Sequence, residues 1–153
     1  MFKKILVPLD GSQLAEKALP YAEALTQQFA AELILVMVLH RPLVMPLDYG
    51  VTLPPVEEIT AHEQQAARDY LNRLQAELGQ RQVPTRIIIL ESMSTAEAII
   101  DLASDEKVDL IVKTTHGRSG PSRWIFGNVA LKVLQQTPCP VFLVRVTARE
   151  LAE

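Results

Sequence analysis

Residues 109–128, which read DLIVKTTHGRSGPSRWIFGN from Asp109 to Asn128, decide the fold of this chain. They open with an apolar run at 110–112, which is too short for a helix and leads into small and polar residues. Such a run is typical of a parallel strand that is covered on both faces and ends at a loop. The loop contains Gly117, Gly120 and Gly127, which let a ligand approach the backbone closely.

The same loop leads directly into a predicted helix. We expect Asn128 to cap a helix over residues 129–136, whose first N–H groups and positive dipole end favour a phosphate. Further donors are available from polar side chains of the loop: His116, Arg118, Ser119 and Arg123. The spacing matches neither a Walker A loop, which ends in GK[ST], nor a GxGxxG fingerprint. The stretch therefore predicts an anion-binding site without naming the anion.

Apolar runs elsewhere in the chain predict four more strands, at residues 5–7, 33–39, 86–90 and 141–146. Pro8 is expected to end the first of them, because proline cannot donate to a ladder. Helical spacing predicts a helix at 14–29 that Pro20 kinks, and another at 57–78 that Gly79 stops. Ser94 and Glu97 have the spacing of a capping box at the start of a third helix.

Strands and helices thus alternate along the whole chain. This order predicts a single α/β domain with a doubly wound, five-stranded parallel sheet in the flavodoxin- or Rossmann-like order 3-2-1-4-5. The domain is expected to span residues 1–147, with a short tail at 148–153. In such sheets, ligands bind beyond the carboxyl ends of the strands, where the strand order reverses.

Composition narrows the class of protein. The chain has 153 residues, 48% of them hydrophobic and 22% charged, and a net charge of −3. These values predict one globular domain without the excess of positive charge that is typical of nucleic-acid-binding proteins. The only cysteine, Cys139, excludes an internal disulfide, and the longest apolar run is too short to span a membrane. We therefore expect a cytoplasmic protein with neither a nucleic-acid nor a membrane partner.

Two segments, KKILVPLDGS near the start and THGRSGPSRWIFGNVALKVLQQTPCPVFLVR near the end, resemble universal stress protein domains. Many members of that family bind ATP through a GxxGx9G[ST] loop. In register, this pattern falls on Thr114, Gly117, Gly127 and Asn128, so that Thr stands for the first Gly and Asn for the last Ser or Thr. The resemblance implies a nucleotide between the ends of the first and fourth strands.

The resemblance also implies a set of nucleotide-binding residues: Pro8, Leu9, Asp10, Val38, Lys113, Thr114, His116, Gly117, Arg118, Gly120, Gly127 and Asn128. Asp10 would hold Mg²⁺ by way of phosphate or accept from a ribose hydroxyl, and its alternative role is capping the first helix. Val38 would contact adenine. Lys113 stands where the family has an apolar residue; it would lie against the base or approach phosphate, or else reach solvent along its apolar stem. A β-branched Thr114 would obstruct the nucleotide if glycine is needed there.

Three functions remain open. The first is an ATP-binding regulatory or signalling module, with Mg²⁺ as companion ion and slow or no hydrolysis, because no general base or arginine finger is evident. The second is a non-nucleotide-binding, homodimeric interaction module of the same family. The third, an adenylyl transferase, lacks its own phosphate signature near the first strand. A homodimer is expected through the edge strand from Val141 to Val146, and the proline-rich residues 40–55 form either a lid or a docked loop.

Overall fold

The computed structural model describes residues 1–41, 56–116 and 127–147. Along these residues the elements are β1 (Lys4–Leu9), α1 (Gln13–Glu16), α2 (Leu19–Phe29), β2 (Glu32–His40), α3 (Val56–Gln80), β3 (Thr85–Ser92), α4 (Thr95–Asp105), β4 (Leu110–Thr114), α5 (Asn128–Gln136) and β5 (Val141–Val144). No helix in these ranges is long and apolar enough to cross a membrane.

The five strands form one sheet in the order β3-β2-β1-β4-β5, and every neighbouring pair is parallel. The predicted fold class and strand order are therefore confirmed. Alternate residues of β1 enter two different cores: Ile5 and Val7 pack with Leu71 of α3, whereas Leu6 packs with Ile99 of α4. Helices thus cover both faces of the sheet, which explains why its strands read as continuous apolar runs.

Two helix predictions are corrected by the structure. Residues 13–29 form two helices rather than one kinked helix, and Pro20 lies in the first turn of α2. A proline is tolerated there because the first N–H groups of a helix have no intrahelical acceptor. Gly79 does not stop α3, which continues to Gln80; the left-handed residue that follows is Gln82, with φ 61°. The predicted Ser94 cap is confirmed, since its Oγ accepts from the Glu97 N–H at 3.4 Å.

Pro8 does not end β1, which continues to Leu9 and pairs with β2 along its length. The reason lies in the direction of the backbone groups. The Lys3 carbonyl accepts from β2, and the Lys4 carbonyl accepts from Asp109, the residue just before β4. Because these directions alternate along a strand, the missing N–H of Pro8 faces β4. Pairing between β1 and β4 stops at Leu6, so the two strands part at their carboxyl ends.

Candidate functional site

A cleft of about 690 Å³ opens where β1 and β4 part. It brings together eight of the predicted site residues: Pro8, Leu9, Asp10, Val38, Lys113, Thr114, His116 and Gly127. Asn128 is not among the residues that line it, although the next two residues of α5 are. The predicted Gly117, Arg118 and Gly120 lie outside the described residues, as do most of the expected lid at 40–55 and the tail.

A tight turn after β1 fixes the Asp10 carboxylate at the mouth of the cleft. The N–H and the hydroxyl of Ser12 both donate to Asp10 Oδ1, at 2.9 Å and 2.6 Å. Ser12 in turn caps α1, because its Oγ accepts from the Ala15 N–H at 3.1 Å. Asp10 therefore does not cap the helix itself; it orients the residue that does. The turn also needs Gly11, whose φ of +83° few other residues adopt.

Lys113 is the buried charge of the cleft. The residue is only 8% exposed, and its Nζ donates to the Thr114 carbonyl at 2.9 Å. The alternative of a lysine reaching solvent is therefore wrong, because β4 runs between β1 and β5 and ends inside the cleft rather than at the surface. Burial lowers the pKa of the Lys113 amine to about 8, against the opposing attraction of the Asp10 carboxylate.

Thr114 is accommodated without strain in the place where the family pattern has glycine. It lies in β4 with 3% exposure, and its hydroxyl donates to the His116 carbonyl at 2.6 Å. It is not among the residues of positive φ in the described ranges. The conformational freedom of glycine is therefore not used at this position. Any obstruction of a nucleotide by Thr114 must be steric.

The residues after Thr114 hold the start of the glycine loop. The Thr115 N–H donates to the Val144 carbonyl, and the Thr115 hydroxyl accepts from the Val146 N–H at 3.2 Å. The same hydroxyl lies 3.1 Å from Nδ1 of His116. The end of β5 and the residues that follow it thus hold Thr115 in place, and His116 lines the cleft.

The amino end of α5 also faces the cleft, but it is built differently from the prediction. The N-cap is Gly127, and Asn128 is the first helical residue, with no side-chain cap hydrogen bond. The helix begins one residue early because the Gly127 N–H donates to Thr115 and its carbonyl accepts from Leu131. A Cβ on Gly127 would lie 3.5 Å from the Thr115 carbonyl, an ordinary contact. Glycine is therefore not required here by packing, and the first-turn N–H groups lack intrahelical acceptors.

Sequence reasoning missed several residues of the cleft, of which Tyr70 on α3 is the most informative. Its hydroxyl is buried and, within the described part of the chain, makes no hydrogen bond of standard geometry, although the Glu16 carboxylate is close enough to act on it. Burial raises the pKa of Tyr70 above its ordinary value, and the nearby Glu16 and Asp10 carboxylates raise it further. The helical spacing of residues 57–78 puts Tyr70 on the same face as Leu71, Leu74 and Leu78, which indicates burial but not a role. The chemistry of tyrosine was the feature that could have identified it, because a buried tyrosine hydroxyl usually needs a hydrogen-bond partner.

The cleft does not fit a Mg²⁺ ion held by protein carboxylates. Among the residues that the structure describes, no three His, Cys, Asp or Glu side chains are grouped as metal ligands. The acidic residues lining the cleft in those ranges are Asp10, already bonded to Ser12, and Glu63, paired with Arg41. The buried Lys113 amine lines the same cleft as Asp10 and adds a positive charge that would repel the ion.

The universal stress protein family profile matches residues 1–145. A universal stress protein of Thermus aquaticus is 36% identical over 145 residues, covering 95% of this chain and 100% of that protein. The solved structure of MJ0577 from Methanocaldococcus jannaschii superimposes with a TM-score of 0.79 at 28% identity, covering 96% of this chain and 98% of that one. A universal stress protein in complex with cAMP shares the fold, with a TM-score of 0.64, 20% identity, and coverage of 95% and 98%. The chain belongs to the universal stress protein family.

Proposed function

We propose that this chain is a cytoplasmic regulatory or signalling module that binds an adenine nucleotide, with ATP as its principal ligand. The observation that carries the proposal is the meeting of two cationic elements in one cleft. The buried amine of Lys113 and the amino end of α5 both line it. A buried amine in the same cleft as the amino end of a helix is an arrangement that favours a phosphate.

The rest of the cleft suits the other parts of a nucleotide. Apolar side chains from four elements line it: Val36, Val38, Leu39, Ala67, Ile99 and Val129. Such a wall provides the surface against which an adenine ring can be buried. The Asp10 carboxylate at the mouth is an acceptor of the kind that a ribose hydroxyl needs. A volume of about 690 Å³ lies within the usual range for small-ligand sites.

Hydrolysis is expected to be slow or absent. A general base must lie within hydrogen-bond reach of the attacking water. In the described part of the cleft, the Asp10 carboxylate is engaged by Ser12, Glu63 is paired with Arg41, and Nδ1 of His116 lies against Thr115. These groups serve to hold the site in shape. We therefore propose that the protein acts through binding of ATP in the cleft rather than through its hydrolysis.

The module is further proposed to act as a homodimer through the edge strand β5. The sequence predicted a strand from Val141 to Val146, whereas β5 and its pairing with β4 end at Val144. Phe142 on this strand is 40% exposed, and its ring lies 5.7 Å from that of Tyr21, which is also exposed. Exposed aromatic side chains beside an unpaired strand edge favour association with a second copy.

A second candidate is an interaction module that binds no nucleotide. This candidate is favoured by the side chains that occupy the cleft at the end of β4. Thr114 is buried there, and the Lys113 amine already donates to a carbonyl. In that case the two side chains close the cleft, and the homodimer alone would be functional.

Thermal unfolding with and without ATP separates the two candidates. ATP at 100 times its Kd should stabilise the folded state by about 2.7 kcal/mol, which raises the Tm of a chain this long by roughly 5 to 10 °C. Gly127→Ala places a methyl group at the amino end of α5 and should reduce the rise. Gly79→Ala is the matched control, because a Cβ there meets nothing within 4 Å and Gly79 does not line the cleft. An unchanged wild-type Tm at millimolar ATP would favour the interaction module.

A further inference from the structure

We infer that Lys113 takes the place of a divalent cation in this cleft: its ammonium group, buried at the end of β4, binds the phosphates of the nucleotide directly, so that binding does not need Mg²⁺. This inference rests on the proposed function, because it specifies how the proposed ligand is held. It concerns a residue at which this chain departs from the family pattern.

The position of Lys113 is the first step of the argument. Side chains alternate between the two faces of a strand, so Lys113 lies on the same face as Ile111. Ile111 packs in the core formed with α4 and α5. The Lys113 amine therefore lies on the side of the sheet where α5 begins, and the two cationic elements can contact one anionic group together.

The donors of Lys113 are the second step. An ammonium group has three N–H donors. In the described part of the chain, the acceptor that Lys113 contacts is the Thr114 carbonyl, which takes one of them. The amine is buried and lines the cleft, so further acceptors can come from a ligand. Phosphate oxygens are strong acceptors for a buried ammonium group.

The charge balance is the third step. Mg²⁺ in nucleotide sites is usually held by one or two carboxylates together with the phosphates. The Asp10 carboxylate is near enough to Lys113 to attract its charge, and Oδ1 of Asp10 already accepts two hydrogen bonds from Ser12. Adding a dication would place it beside a buried ammonium group of the same sign. The ammonium group therefore supplies the counter-charge that the phosphates require.

Calorimetric titration of the purified wild-type protein tests the inference, with ATP in excess EDTA and with ATP in excess MgCl₂. The Kd in EDTA should lie within about threefold of the value in Mg²⁺, or below it, because free ATP carries more negative charge. Lys113→Met should weaken ATP binding in EDTA by at least about tenfold, and Lys113→Arg should retain most of the affinity. Adenosine, which has no phosphate, should bind wild type and Lys113→Met alike.

Lys3→Met is the matched control, since it removes an exposed lysine and should leave all titrations unchanged. Circular dichroism of each variant establishes that it is folded. ATP binding that requires Mg²⁺, or a Lys113→Met variant that binds ATP in EDTA as wild type does, would overturn the inference and leave the proposed function standing. An equal loss of adenosine and ATP affinity in Lys113→Met would assign the lysine to the base and overturn the inference as well. If ATP binds under neither condition, the proposed function and this inference fail together.

Discussion

Replacing Lys113 by Met should stabilise the protein, although Lys113 lines the candidate site. Burial lowers the pKa of the amine from 10.5 to about 8, which corresponds to a cost of about 3 kcal/mol for keeping it charged at pH 7. Methionine retains most of the apolar stem, but it removes the hydrogen bond from the charged amine to the Thr114 carbonyl, and this loss costs about 2 kcal/mol. The net gain should be about 1 kcal/mol, or roughly 2 to 4 °C in Tm.

The pH dependence of this gain follows from the same shift. Below pH 8 the folded protein bears the full cost of the charged amine. Between about pH 8 and 10.5 the folded state releases a proton that the unfolded state retains, so wild-type stability rises with pH relative to the variant. The advantage of Lys113→Met should therefore shrink across this window.

Urea unfolding of wild type, Lys113→Met and the exposed control Lys3→Met at pH 7, 8, 9 and 10 measures both effects. The control should match wild type throughout, because its lysine is solvated in both states. A Lys113→Met variant that is less stable than wild type at pH 7, or a difference that does not change with pH, would refute the argument from burial.

Three further predictions concern other parts of the fold. Gly11→Ala should cost about 1 kcal/mol in urea unfolding, because φ is +83° although space for a Cβ exists; a neutral result would mean that the turn relaxes. Ser94→Ala should cost about 1 kcal/mol through loss of the α4 cap, with Ser104→Ala in the last turn of that helix as the control. Phe142→Lys should convert the proposed dimer to a monomer by light scattering, whereas Leu134→Lys, another exposed apolar side chain, should not; a wild-type monomer at micromolar concentration would contradict the dimer.

The fold could be predicted from the sequence because its main signals are local and repeated. Runs such as residues 33–39 are apolar throughout, and in the structure β2 is paired on both sides and covered on both faces. Helical spacing between the runs then leaves little choice but a doubly wound sheet. The ends of the helices were predicted less accurately, because glycine and asparagine occur both inside a helix and just outside it. Gly79 was predicted to stop α3 and Asn128 to cap α5, but both lie within their helices. Glycine is tolerated inside a last turn, and asparagine is tolerated in a first turn when the preceding residue caps the helix.

The site was predictable only in part, since the missing information is tertiary. The sequence placed Asp10 and Thr114 at strand ends, and parallel strands bring their carboxyl ends together. It did not show that Tyr70 would line the cleft, because helical spacing identifies the buried face of α3 without identifying what that face covers. Nor could it orient Lys113, whose burial depends on β4 lying between two neighbours.

Two residues that are unusual for their positions lie at this cleft, and together they explain how it is built. Pro8 lies inside a central strand, and Lys113 is a buried charge. The register that pairs Leu6 with Ile111, continued along both strands, sets Pro8 opposite Lys113. The missing N–H of Pro8 therefore releases β1 from β4 at the point where Lys113 needs room for its amine. Each departure carries a cost to stability, and such costs are concentrated where a fold serves a ligand rather than its own core. Their convergence on one cleft is accordingly an argument for binding that is independent of the glycine loop.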